Sequence, residues 1–313
     1  ATVVLTGTPM RNGIQNLWGY LHAINPHLYS SYWKFVNTFC YIEKTGWGQN
    51  ILGAKSEEST KNLQKILKHT MLRRTKAQLE GEVPPKVRQT LRIKMGAQIQ
   101  AIHDEFWEEM MILLDSGELV IAPTILTKIL RMRQLLVCPK LLSESMGYGV
   151  GIETIVASIE DQPDHHAAIF TSFRKAIPYL KEYVEDKLKT KDTFVIHGGM
   201  KPKDVFDIVR EYKSKRGIIF STIKFAEGQN FETCSYGYIL GPEWTFDENE
   251  QAEDRLNRMT SKDTAFISYI KHIGSVEELV YSVVNGKYSN VNEILKDRSV
   301  LKLETEGKMN GTF

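Results

Sequence analysis

With 313 residues and 42% hydrophobic content, the chain can build two domains with real cores. Its 40 basic residues against 38 acidic leave a net charge of +2, which excludes a bulk field as the source of any nucleic-acid affinity and leaves that role to local patches. Cys40, Cys138 and Cys234 lie far apart with no CxxC pair, which argues against a zinc site or disulfide scaffold and suits a reducing compartment.

In chain order, Ala1 to Leu5 reads as an apolar strand, and a helix begins within 12–20. The aromatic-rich stretch 29–47 is expected as short helices and turns. Its Tyr32, Trp33, Phe35, Phe39 and Tyr41 suit helical core packing, with a base-stacking platform as the alternative. Ser56 to Leu72 carries apolar residues at 63, 66, 67 and 71, an amphipathic helix whose polar lead-in from Lys55 supplies a cap. Arg73, Arg74 and Lys76 then form a basic patch, and Arg131 with Arg133 adds another.

Val87 to Ile93 alternates apolar and polar or basic residues, the pattern of a half-exposed strand. Ala97 to Leu114 forms a helix with Ile99, Ile102, Phe106, Met110 and Leu113 inward, and Ile121 to Leu136 a second, with Pro123 tolerated near its start. From Ile152 the pattern turns regular. Helices at 152–160, 173–189 and 202–213 alternate with strands at 167–171, 193–197 and 217–221, and a further strand follows at 235–240. Such alternation predicts an α/β fold with a parallel sheet covered on both faces. His165 and His166 read as a surface pair before a strand, since no further ligand sits at metal spacing. Beyond Ser275, 276–284 and 291–295 are helical in pattern, and 302–313 reads as a frayed terminus, with a docking role as the alternative. No apolar run approaches about 18 residues, so a soluble protein is expected, cytoplasmic, or nuclear in a eukaryote, with no membrane partner.

Chemistry concentrates in the run Gln251-Ala-Glu-Asp-Arg255-Leu-Asn-Arg258. Spacings of four and three put Gln251, Arg255 and Arg258 on one helical face, with Glu250 and Asp254 placed to orient the guanidinium groups. An arginine pair of this kind suits the terminal phosphate of a nucleotide; surface salt-bridging is the rival reading. Ahead of it lie two strands ending in polar loops, Lys224 to Asn230 and Gly241 to Trp244. In an open α/β sheet, ligands gather at such carboxyl ends.

These runs together resemble the Swi/Snf-type branch of the superfamily 2 helicase-like ATPases. Leu5-Thr-Gly-Thr-Pro9, with Asn16 to Trp18 and Leu21 to Pro26 behind it, is similar to the family's third motif. Met71 to Lys76 and Val83 to Lys86 resemble the basic stretch before the second lobe, and Leu130 to Gln134 with Cys138-Pro139 the arginine-rich helix. Ala168 to Phe173 resembles the fourth motif, Ser221 to Asn230 the fifth, and Gln251 to Arg258 the sixth.

The resemblance implies a recombinase-like helicase lobe of the P-loop NTPase type, preceded by a remnant of the first lobe and a helical insertion. It divides the chain into the end of the first lobe at 1–86, helical protrusion and linker at 87–150, second lobe at 151–280 and a helical tail at 281–313. It further implies a double-stranded DNA translocase using ATP and magnesium. Arg255, Arg258 and Gln251 would meet the terminal phosphate. Glu227, Gly228 and Asn230 would shape the nucleotide-coupled loop, and Thr6, Gly7 and Thr8 would sense closure. Arg73, Arg74, Lys76, Thr171, Ser172, His197, Gly198, Ser221 and Thr222 would line the nucleic-acid track, with Gly198-Gly199 allowing close backbone approach.

The family's phosphate loop, GxxxxGKS or GxxxxGKT, and its acidic magnesium pair do not occur in these 313 residues. The strand-like start suggests the carboxyl-terminal part of a larger or split protein, with the amino-terminal ATPase lobe as a partner in cis or on another chain. A degenerate DNA-binding paralogue is the alternative. Neither ATP nor magnesium is expected to bind this chain tightly alone. Two departures from the family stand out: Glu227 close to the expected backbone track, for which Lys224 is the candidate partner, and Met259-Thr-Ser after the sixth motif.

Overall fold

The computed structural model describes residues 2–10, 13–45, 48–73, 83–115, 122–162 and 164–281. The chain divides into two compact units, one built on Ala1–Glu80 and one on Gly81–Trp244 with Glu248–Ser282.

In the first unit, α1 (Leu17–Ile24), α2 (Tyr32–Phe39) and α3 (Glu57–Thr70) accompany a hairpin of β1 (Cys40–Thr45) and β2 (Gly48–Ala54). Leu17 and Leu21 of α1, Phe35 and Val36 of α2, and Leu63 and Leu67 of α3 meet around Met10, Ile14 and Cys40. Three- and four-residue spacings place each pair on one helical stripe. The cap of α3 is Ser56, whose hydroxyl accepts from Ser59 N at 3.1 Å while Ser59 Oγ accepts from Ser56 N at 2.9 Å.

Two expectations fail in this unit. Residues 2–6 form no strand, and Val3 and Leu5 are 81% and 92% exposed. No described strand lies beside them to satisfy their backbone in a sheet. The stretch after α2 is a strand pair where short helices and turns were expected: Ile42 and Lys44 share one face of the β1–β2 register with their partners, and Glu43 with Asn50 takes the other.

The second unit holds six parallel strands in the order β3-β8-β7-β4-β6-β5. They are β3 (Lys86–Ile93), β4 (Ala167–Thr171), β5 (Thr193–Ile196), β6 (Ile218–Thr222), β7 (Tyr236–Leu240) and β8 (Ala265–His272). The helices are α4 (Ala97–Asp115), α5 (Ala122–Val137), α6 (Val150–Glu160), α7 (Ile177–Leu188), α8 (Pro202–Lys215), the short α9 (Ile223–Ala226) and α10 (Phe246–Glu253), with a helical turn over 276–281.

Strand alternation sends Ala168, Phe170, Ile219, Ile239 and Ile267 to a core shared with Val205, Val209 and Tyr212 of α8. Ala167, Ile169, Ile218, Phe220 and Tyr238 face the opposite core, with Ile152 and Ile155 of α6 and Leu180 and Val184 of α7. A parallel sheet needs both faces covered, and here both are. Met110 of α4 and Met132 and Leu136 of α5 build a smaller cluster with Met95 and Val276.

The strand expected at 87–93 is present, and it forms the sheet's outer strand, paired along its length with β8, in place of part of a linker. His166 is buried at the start of β4, its Nδ1 at 2.9 Å from Gly217 O and Nε2 at 3.2 Å from Thr233 Oγ1, so the surface-pair reading is wrong for it. Arg133 does not join a surface patch either. Its guanidinium lies between the rings of Phe173 and Trp244, 5.3 and 5.1 Å from their centroids, and donates to Pro242 O. Arg74, Lys76 and the tail beyond Tyr281 lie outside the described residues.

Candidate functional site

β4, β6 and β7 end at one edge of the sheet, and the loops that follow carry the residues singled out above. After β6, α9 leads into Glu227, Gly228, Gln229 and Asn230. Gly228 holds φ +85°, a left-handed conformation that favours glycine, and open space surrounds the position of a Cβ. Asn230 Oδ1 accepts from Glu232 N at 3.1 Å and fixes the turn.

The run 251–258 does not form the single helical face expected. α10 stops at Glu253, and Arg255 and Arg258 stand in the turns beyond it. Backbone geometry still gathers them beside the Gly228 loop. Phe231 N donates to Arg255 O at 2.9 Å, Arg258 Nη2 donates to Gln229 O at 2.7 Å, and Arg255 Nε donates to Gln251 O at 3.0 Å. Burial and then the Arg258 charge lower the pKa of Arg255, against weaker support from Asp254 and Glu227. A guanidinium disfavoured by burial and by a second cation gains from an anion placed beside it.

Glu250 and Asp254 do not chiefly orient that pair. With Glu253 they hold two cations of β3 instead. Glu253, fully buried, accepts from Lys86 Nζ and Arg88 Nε at 2.8 Å each and from Tyr269 Oη at 2.6 Å, with Arg88 Nη2 in ion-pair contact at 2.6 Å. Asp254 accepts from Lys86 at 2.9 Å and Glu250 from Arg88 at 3.0 Å. Burial disfavours the Glu253 carboxylate, but Arg88 and Lys86 outweigh it and hold its pKa at about 2. This clamp ties the end of α10, immediately before Arg255, to the sheet's outer strand. Sequence reasoning missed it; the charged alternation in 86–88 was the available signal.

The track residues divide. Thr171 and Ser221 are buried, with Thr171 Oγ1 accepting from Phe173 N at 3.3 Å and Ser221 Oγ donating to Thr222 O at 3.0 Å. Ser172 Oγ donates to Gly241 O at 2.6 Å, and Arg133 approaches it at 3.4 Å. Each of these three hydroxyls holds a hydrogen bond to strand-end backbone. Their loops are tight: Gly241 holds φ +74°, and a Cβ there would meet Val137 Cγ2 at 2.3 Å.

Thr222 and His197 are half-buried and Gly198 is exposed, with His197 Nδ1 at 3.0 Å from Gly198 O. Lys224 reaches Glu243 at 3.6 Å and Glu248 at 3.8 Å, so the pairing with Glu227 suggested by sequence is not made. In the first unit, Thr8 N donates to Thr6 Oγ1 at 3.1 Å around exposed Gly7, and Arg73 is half-buried. Among the described residues no group of three acidic, histidine or cysteine side chains could hold a metal, and no helix is long and apolar enough to cross a membrane.

An all-parallel sheet with its loops gathered at the carboxyl edge has the fold of the lobes of solved SWI2/SNF2 ATPase cores. Two family models match in tandem, the SNF2-related domain over residues 1–141 and the helicase conserved C-terminal domain over 151–260. The chain belongs to the Swi/Snf family of helicase-like ATPases. It is 21% identical to the ATP-dependent helicase brm of Drosophila melanogaster, over 94% of this chain and 20% of that protein. Identity to an uncharacterized ATP-dependent helicase of Mycoplasma pneumoniae is 24%, over 94% of this chain and 28% of the relative. The chain thus spans well under a third of the length of these relatives. Among solved structures, the Sulfolobus solfataricus SWI2/SNF2 ATPase core in complex with dsDNA has a TM-score of 0.56 at 22% identity, covering 93% of this chain and 63% of that one.

Proposed function

We propose that this chain supplies the second-lobe half of an ATP-driven translocase that moves along double-stranded DNA and remodels protein–DNA complexes. The observation that carries the reading is the arginine pair held against the Gly228 loop, with Arg255 destabilised by burial and by its neighbour until an anion arrives. Arg255 and Arg258 would contact the terminal phosphate of ATP, and Gln251 would orient that phosphate or a water. ATP bound with magnesium would supply the phosphoryl group and its charge neutralisation; the phosphate loop and magnesium carboxylates, which do not occur in these 313 residues, are assigned to a further part of the first lobe.

Glu227, Gly228 and Asn230 would link nucleotide state to the grip on DNA, with Thr6, Gly7 and Thr8 sensing closure. His197, Gly198 and Thr222, with Arg73, Arg74 and Lys76, would meet the phosphate backbone. Such contacts position a duplex without reading its sequence.

Titration of labelled duplex DNA at two salt concentrations tests this. Weak binding that falls steeply with salt, shows little sequence preference and weakens uniformly on charge reversal of Arg73 and Arg74 is expected. Absence of any binding at about 50 mM salt, where counterion release favours it, sinks the proposal.

A further inference from the structure

The aromatic stretch after residue 29 is split by the fold, and its exposed part lines a cleft outside the site described above. Phe35 is buried in the first unit's core, and Tyr32 and Phe39 pack on that core, whereas Trp33 is 51% exposed. Trp33 and Asn37 are four residues apart on α2 and share one helical face. Facing them is one side of the hairpin, carrying Ile42 and Lys44 of β1 and Gln49, the cross-strand partner of Lys44. These five residues line a cleft of about 690 Å³, within the range of about 300–1,000 Å³ usual for ligand sites.

The chemistry of the lining is specific. Trp33 offers an indole ring, and Tyr32 packs against it in a T-shaped arrangement at a centroid distance of 5.3 Å. Asn37 and Gln49 offer carboxamides, each with donors and an acceptor of the kind that pairs with a heteroaromatic edge. Lys44 supplies a cation, and a second ammonium stands close by, Lys55 Nζ donating to Asn37 O at 2.7 Å. None of the five lining residues is acidic, and Glu43 alternates to the opposite face of the hairpin, where it pairs with Asn50.

We propose that this cleft binds an unpaired nucleotide of a nucleic-acid strand, its base stacked on Trp33 and read at the edge by Asn37 and Gln49, its phosphate held by Lys44. A flat ring, two amide edges and a cation together match a nucleotide better than an acidic peptide, which would leave the indole face and amides unused. The site does not depend on the arginine pair or on duplex binding.

The test uses the full chain with short labelled oligo(dA), AMP as a free nucleotide, an acidic peptide, and duplex DNA in parallel. Oligo(dA) should bind, and Trp33→Ala should weaken it about tenfold, as expected when stacking contributes about 1–3 kcal/mol per base. Trp33→Phe should keep affinity within about threefold, and Lys44→Met should lower the slope of log affinity against log salt by about 0.7. AMP competing as well as oligo(dA) identifies a free nucleotide as the ligand; weaker AMP identifies a strand. The exposed position of Trp33 keeps its truncation out of the core, and an unchanged melting temperature checks this. No binding of oligo(dA), affinity unchanged in both Trp33→Ala and Lys44→Met, or Trp33-dependent displacement by the acidic peptide would each overturn the site. Loss of duplex binding with oligo(dA) binding intact counts against the translocase alone.

Discussion

Replacing Glu253 with Gln removes the buried charge on which Lys86 and Arg88 converge while preserving side-chain shape. Within the clamp, Glu250, Glu253 and Asp254 face Lys86 and Arg88, three negative charges against two positive. After substitution Lys86 keeps Asp254 at 2.9 Å and Glu250 at 3.9 Å, and Arg88 keeps Glu250 at 3.0 Å. Breaking a buried pair costs about 3–5 kcal/mol, and the surviving partners put this case at the lower end, about 3 kcal/mol. Urea unfolding of wild type and variant, followed by circular dichroism, should show that loss as a lower midpoint at unchanged slope. The pH dependence carries a sign. Glu253 has a folded pKa of about 2 against an ordinary 4.5, so its contribution is present above about pH 4.5 and disappears as the carboxylate protonates toward pH 2. Wild type should therefore lose stability faster than Glu253→Gln across that window. A difference at pH 7 below about 1 kcal/mol, the level of an exposed pair, would refute the reasoning.

Arg133→Ala should destabilise the second unit by about 3 kcal/mol, the scale of a lost hydrogen-bonded buried charge, and Arg133→Lys should recover less than half, because an ammonium cannot stack flat between Phe173 and Trp244 while reaching Pro242 O; thermal melts of the three proteins decide it. Residues 1–313 alone should turn over ATP more slowly than about 1 per second, the low edge of ordinary enzyme rates, with or without duplex DNA. DNA-stimulated turnover above that rate, abolished by Arg255→Ala, would contradict the assignment of phosphate-loop chemistry to another lobe.

The strands and helices of the second lobe were legible because each apolar run is short, bounded by polar loops and buried on both faces, as in Ala167–Thr171 and Ile218–Thr222. The six motif resemblances gave the family. What stayed hidden depends on partners distant in sequence. Nothing between 251 and 258 signals that the helix stops at Glu253, whose side chain is held by Lys86 and Arg88 from a strand more than 160 residues earlier. Likewise Val87 to Ile93 shows a strand's alternation but not its partner, and only pairing with β8 makes it part of the second lobe's sheet. Arg133 looked like surface charge because its aromatic partners, Phe173 and Trp244, come from two other loops. The hydroxyls of Thr171, Ser172 and Ser221 carry the family's motif positions, yet sequence could not show that each would also hydrogen-bond strand-end backbone.

The central claim is that Arg255 and Arg258 stabilise charge on the terminal phosphate of ATP during transfer. Steady-state hydrolysis by a natural polypeptide that contains these residues together with a phosphate-loop lobe, measured with saturating duplex DNA, tests it most directly. Replacing either arginine with alanine should lower kcat by about 10³-fold, the lower bound for an arginine acting on a transferring phosphoryl group, while KM for ATP shifts far less, since the contact is strongest in the transition state. Unchanged DNA-stimulated kcat in both variants, or a rise in KM with kcat intact, would contradict the account.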